Sequence, residues 1–104
     1  MPKPVSLSYG AAAILHAVAS GRQFGFDVMD ATGLTSGTVY SALDRLETAG
    51  YLRSKWEADE AARAEGRPAR RYFTLTGSGA AALRAALEKY KALRPLPGFS
   101  PEKA

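Results

Sequence analysis

The chain has 104 residues, 46% of them hydrophobic and 23% charged, the mix of one small globular domain rather than of a disordered segment. It contains no cysteine and one histidine, which excludes disulfides, thiol catalysis, Cys-type zinc sites and a His-pair metal centre, and argues against a Ser-His-Asp enzyme. Fourteen Lys and Arg against ten Asp and Glu leave a net charge of +4, a balance that leans toward an anionic partner.

Residues 1–7 carry two prolines and read as an extended arm. Ser8 is placed to cap a first helix over Tyr9–Ser20, whose apolar positions Ala11, Ile14, Leu15 and Val18 fall on one face, with Gly21 as its stop. The apolar run from Ala11 to Ala19 follows Lys3 as a signal peptide would, but His16 interrupts it and its spacing is that of a helix within a folded domain. No run approaches the ~18 apolar residues that span a bilayer, so a cytoplasmic protein without a membrane partner is expected. A second, shorter helix is expected over Gly25–Ala31, with Phe24, Val28 and Met29 as its apolar contacts and Gly33 as its end.

The third helix is the best defined, over Ser36–Ala49, capped by Thr35 or Ser36 and closed by Gly50. Val39, Ala42, Leu43 and Leu46 form its apolar stripe. At 100° per residue Gly37, Ser41, Asp44 and Thr48 point the other way, with Thr38, Tyr40 and Arg45 on the flanks. Two strands follow, 51–57 and 69–75, the first alternating Leu52, Ser54 and Trp56 against Arg53, Lys55 and Glu57. The segment between them, 58–68, has no apolar residue larger than alanine and reads as a long, mobile hairpin loop. Trp56 is expected to be core or a lid on the hairpin, and His16 an ordinary packed or surface histidine. A fourth helix over 78–94 shows Ala80, Leu83, Leu87 and Tyr90 at spacings of three, four and three, a short heptad-like seam; Pro95 and Pro97 stop it, leaving 95–104 as a flexible tail.

Three helices, a hairpin and a closing helix make a mainly α fold with a small β-hairpin: a winged helix-turn-helix domain over 8–77 plus a C-terminal helix over 78–94. The run from Thr38 to Leu52, the following Ser54-Lys55-Trp56-Glu57, and the stretch Gly66-Arg67-Pro68-Ala69-Arg70-Arg71-Tyr72-Phe73-Thr74-Leu75-Thr76-Gly77-Ser78-Gly79 resemble, in order and spacing, the third helix, wing and closing strand of the PadR family of transcriptional regulators. The resemblance covers about Leu7 to Leu93. It implies a sequence-specific DNA-binding regulator, a homodimeric repressor on a pseudo-palindromic double-stranded operator, with scope for a small-molecule effector and no cofactor. The family's DNA-binding domain is usually followed by a helical dimerisation region, often long, for which this chain offers one helix.

On that reading helix 36–49 enters the major groove with its N-terminal residues leading. Ser36, Thr38 and Ser41 are short hydrogen-bonding groups that permit close approach, Gly37 permits closer approach still, Tyr40 can reach a phosphate, and Arg45 a guanine or a phosphate. The wing, 58–71, supplies Arg63, Arg67, Arg70 and Arg71 to the flanking backbone. In a strand Arg70 and Arg71 face opposite ways, so one contact cannot use both. A dimer is expected through Ile14, Val18, Leu83, Leu87 and Tyr90. The alternative is a winged-helix module that binds another protein and not DNA, in which the basic residues need not share a face. Catalysis finds no support: there is no metal cluster or activated nucleophile, and Gly77-Ser78-Gly79 lacks the Gly-Lys-Ser/Thr ending of a phosphate-binding loop.

Overall fold

The computed structural model describes residues 7–90. The arm at 1–6 with Lys3, the helix expected over 91–94 and the tail at 95–104 lie outside the described residues. The elements run α1 (Tyr9–Ala19), α2 (Gly25–Thr32), α3 (Ser36–Thr48), β1 (Leu52–Trp56), α4 (Asp59–Ala64), β2 (Arg71–Leu75) and α5 (Gly77–Lys89). This is the mainly helical, winged helix-turn-helix arrangement that the order of elements implies.

Local chemistry sets the boundaries. The Ser8 hydroxyl accepts from the Ala11 N–H, the Thr35 hydroxyl from the Thr38 N–H and the Thr76 hydroxyl from the Gly79 N–H, so three of the helices open on a side-chain cap. Gly33 and Gly50 end α2 and α3 in the left-handed conformation, at φ 74° and 86°, which a β-carbon would strain.

One core joins the elements. Ile14, Leu15, Val28, Val39, Leu43 and Phe73 are fully buried, and α1 packs on α2, α3, α5 and β2. His16 is sealed in the same core, and burial pushes its pKa below the ordinary 6.5, so the ring is neutral at pH 7. Phe73 donates its N–H to the Gln23 carbonyl at 2.8 Å, which ties the connector between α1 and α2 to the outer edge of β2. The end of the hairpin is stitched to its start: Thr76 donates its N–H to the Tyr51 carbonyl at 3.1 Å and its hydroxyl to the Gly50 carbonyl at 2.6 Å. At this junction a β-carbon on Gly79 would overlap the Tyr51 carbonyl oxygen, so glycine is what lets α5 lie against the turn.

Three expectations are corrected. The segment expected to be a mobile loop contains the helix α4. Alanine is the strongest helix former, Asp59 and Glu60 sit in the first turn where the helix dipole favours acids, and Ala62 is buried. Trp56 is not core: it is 63% exposed, because the register sets it opposite Arg71 at the far end of the hairpin from Leu52 and Leu75, beyond the helices underneath. The seam proposed for dimerisation is mostly internal. Ile14, Val18 and Leu83 are buried within the protomer, where α1 and α5 cover the core. Leu87 and Tyr90 stay half-exposed, and Tyr90 bonds within the protomer, its hydroxyl donating to the Leu7 carbonyl at 2.9 Å and its ring meeting Tyr9 edge-on at 5.4 Å.

Candidate nucleic-acid interface

The stripe of Val39, Ala42, Leu43 and Leu46 buries one side of α3 and so turns the other side outward. Ser36, Gly37, Thr38, Tyr40, Ser41, Asp44 and Arg45 are all exposed. Tyr40 is held in place from behind: a β-carbon on Gly25 would overlap its ring, so the first residue of α2 must be glycine for the tyrosine to lie there.

The hairpin attaches to this outward face through Arg71. Its guanidinium donates to Glu47 and, at 3.2 Å, to the Asp44 carboxylate, while its Nε donates to the Ser54 hydroxyl at 3.1 Å. Ser54 in turn donates to Glu47 at 2.6 Å. That hydroxyl, followed by Arg71, holds the Glu47 carboxyl below its ordinary range. Asp44 and Glu47, one turn apart on α3, are thus tied to the strand that carries the wing.

Glu57 organises the wing's base. It accepts from Arg67 Nη1 at 2.5 Å and Nη2 at 2.9 Å, from the Arg70 backbone N–H at 3.3 Å and from the Tyr72 hydroxyl at 3.1 Å. The Arg67 hydrogen bonds lead in pulling its pKa from the ordinary 4.5 down to about 2, and the same contact raises that of Arg67. A carboxylate with a depressed pKa stabilises the fold fully above its unfolded value and loses that effect as pH falls through the folded one. The wing is therefore expected to stay ordered down to about pH 4.5 and to loosen as pH drops toward 2, with Glu57→Gln loosening it at neutral pH. Amide hydrogen exchange over 57–72 reads this out; a Glu57 carboxyl titrating near 4.5 in an NMR experiment would contradict it.

The four wing arginines thus differ. Arg67 and Arg71 are committed to carboxylates, whereas Arg70 and Arg63 form no ion pair among the described residues. Arg70 lies over the Phe24 ring at 4.5 Å, and Phe24 meets Tyr72 edge-on at 5.1 Å. Arg63 stands exposed on α4. On the outer face of β1, Arg53 and Lys55 are exposed and likewise enter no ion pair among the described residues. Tyr40 of α3 borders the same concavity as Arg67, Arg70 and Arg71 of the wing, whereas Ser36, Gly37, Thr38, Ser41, Arg45 and Arg63 do not line it. Sequence reasoning missed Glu57 and Glu47 as the residues that position the wing. Which arginine each of these acids meets depends on the strand register.

Residues 14–85 match the model of the PadR-like family of transcriptional regulators. Comparison with curated proteins finds no match. Among solved structures, a PadR family transcription regulator from Clostridium difficile superposes with a TM-score of 0.68 at 19% identity, over 84% of this chain and 92% of that one. BpsR of Bordetella bronchiseptica, whose DNA binding is regulated by 6-hydroxynicotinic acid, gives 0.65 at 21% identity over 98% and 74%. The PcaV transcriptional regulator from Streptomyces coelicolor, solved with its natural ligand, gives 0.65 at 18% over 94% and 67%. At these identities the likeness is one of fold.

Proposed function

The chain belongs to the PadR-like family of transcriptional regulators, and from that premise we propose that it is a sequence-specific DNA-binding repressor that acts in the cytoplasm as a homodimer. The α3 N-terminal half, with Ser36, Gly37, Thr38, Tyr40 and Ser41, enters the major groove, and Arg45 meets the backbone farther along. Arg70 and Arg63 neutralise flanking phosphates, while Arg67 and Arg71 hold the wing in the position from which they do so. The observation that carries this reading is the Arg71 grip on Asp44 and Glu47, which sets the free guanidinium of Arg70 beside the exposed face of α3. The same observation weighs against a protein-interaction module, for which no alignment of cations with α3 is needed.

The second copy docks against the outer side of α1 and α5, where Tyr9, Leu87 and Tyr90 remain at the surface. Twofold symmetry then calls for a pseudo-palindromic operator. The fold shared with BpsR supports a small-molecule effector for this chain as well. Selection of bound sequences from a random duplex pool tests the proposal. The expected outcome is an inverted repeat with half-site centres about 10 base pairs, or a multiple, apart. Failure of any motif to enrich, or enrichment of a single unrepeated half-site, would contradict it.

A further inference from the structure

Phe26 is 77% exposed and Trp56 is exposed at the end of β1, and neither ring has a part in the duplex or dimer contacts proposed above. Trp56 borders two hollows. One lies between the start of α2, α3 and the base of the wing, with Phe26 on its wall. The other lies on the outside of the hairpin, with Arg53, Lys55, Tyr72 and Thr74. They enclose about 460 and about 720 Å³, inside the span of roughly 300–1,000 Å³ common for small organic ligands, so each has room for a nucleobase.

The strand register builds the outer hollow. Arg53 stands opposite Thr74 and Lys55 opposite Tyr72, so these four side chains share one face. Two positions apart on β1, the cations are spaced by roughly 7 Å along the strand, a step comparable to that between neighbouring phosphates of an extended nucleic-acid strand. Both are exposed and enter no ion pair among the described residues. The carboxylate that lines the same hollow, Glu57, is occupied by Arg67, the Arg70 N–H and the Tyr72 hydroxyl.

Free cations next to exposed rings select their ligand. An acidic protein segment would satisfy the cations and leave the rings in water. A lipid surface takes up rings that project from a convex tip, not rings that border a hollow. A duplex keeps its base faces stacked inside. An unpaired strand offers a phosphate and an open base face at every nucleotide, the two features matched here. We propose that the hairpin binds single-stranded nucleic acid, its phosphates on Arg53 and Lys55 and its bases against Trp56 and Phe26. This site does not rest on the duplex reading, which uses none of these four residues.

Anisotropy of end-labelled octamers measures the affinities of the full chain, and the fluorescence of Trp56, the only tryptophan, reports contact at the site. A thymidine octamer is expected to quench Trp56 saturably and to bind about ten-fold or more tightly than an abasic octamer of the same sugar-phosphate backbone, because only the former can stack. A uridine octamer is expected to bind within about five-fold of the thymidine one, since neither kind of contact reads the 2′-hydroxyl. Phe26→Ala should weaken the thymidine octamer about five-fold and leave the abasic one unchanged. The pair Arg53→Gln with Lys55→Gln should weaken both octamers alike, by about ten-fold. Absence of saturable binding, an abasic octamer bound as tightly as the thymidine one, a larger gap between the two sugars, or an affinity that survives the double change would each overturn the site. A chain that binds the thymidine octamer as described but no duplex would refute the regulator reading and leave this site standing; one that binds its selected duplex but no octamer would do the reverse.

Discussion

Phe73→Ala is expected to lower the free energy of unfolding by about 3–5 kcal/mol, the range for deleting a buried phenyl ring from a packed core. Phe73 is 1% exposed and stands opposite Ser54 in the middle of the hairpin, where the sheet closes over α1 and α3. Its N–H also anchors the Gln23 carbonyl, and Arg71 lies 5.0 Å above its ring. Domains of this size are stable by only about 5–15 kcal/mol, so this one change removes a large fraction of the total. Trp56→Ala provides the contrast: its ring is exposed, and its loss is expected to change stability by no more than about 0.5 kcal/mol. Urea unfolding at equilibrium measures both. A loss below about 1 kcal/mol for Phe73, or a larger loss for Trp56 than for Phe73, would contradict the assignment of core and surface.

Arg71→Ala is expected to weaken duplex binding about five-fold, as roughly 1 kcal/mol of an ion-pair network that orients the wing is lost. On the proposed reading the guanidinium acts through the wing, since its charge already rests on Glu47 and Asp44. Glu47→Ala should reproduce much of the loss, and the double change Glu47→Ala with Arg71→Ala should weaken binding little beyond either single change. Fluorescence anisotropy of a labelled operator gives the three affinities. Fully additive losses would mean that the two side chains act separately and that the wing is not held by their contact.

Caps and stops carry most of what the residues foretell. Ser8 and Thr35 each satisfy a first-turn N–H of the helix they precede, a local requirement visible in any sequence. Gly33 and Gly50 end helices for an equally local reason. A lack of large apolar groups does not exclude the wing helix, because Ala62 needs little area to dock and its neighbours favour a helix on their own. Alternation assigns Trp56 to the face of Leu52 and Ser54, correctly, but cannot tell how far the helices extend beneath that face. The seam of Leu83, Leu87 and Tyr90 shows the same limit. Spacing identifies one side of a helix, and only packing reveals that Leu83 is used within the protomer while Leu87 and Tyr90 reach its edge. At the site, alternation does separate Arg70 from Arg71. The carboxylates that Arg71 meets lie 24 and 27 positions away along the chain, which no local pattern records.

The dependence of operator affinity on salt tests the central claim most directly, that the free guanidiniums of the wing and the exposed face of α3 grip one duplex together. With Arg45, Arg63 and Arg70 of two protomers on about six phosphates, log affinity should fall against log salt with a slope of about −5, which amounts to about a thousand-fold between roughly 50 and 200 mM. Arg70→Ala should make that slope shallower by about 2, and Arg71→Ala should leave it nearly unchanged while lowering affinity throughout. A binding constant indifferent to salt, or a slope that Arg71→Ala flattens and Arg70→Ala does not, would contradict it.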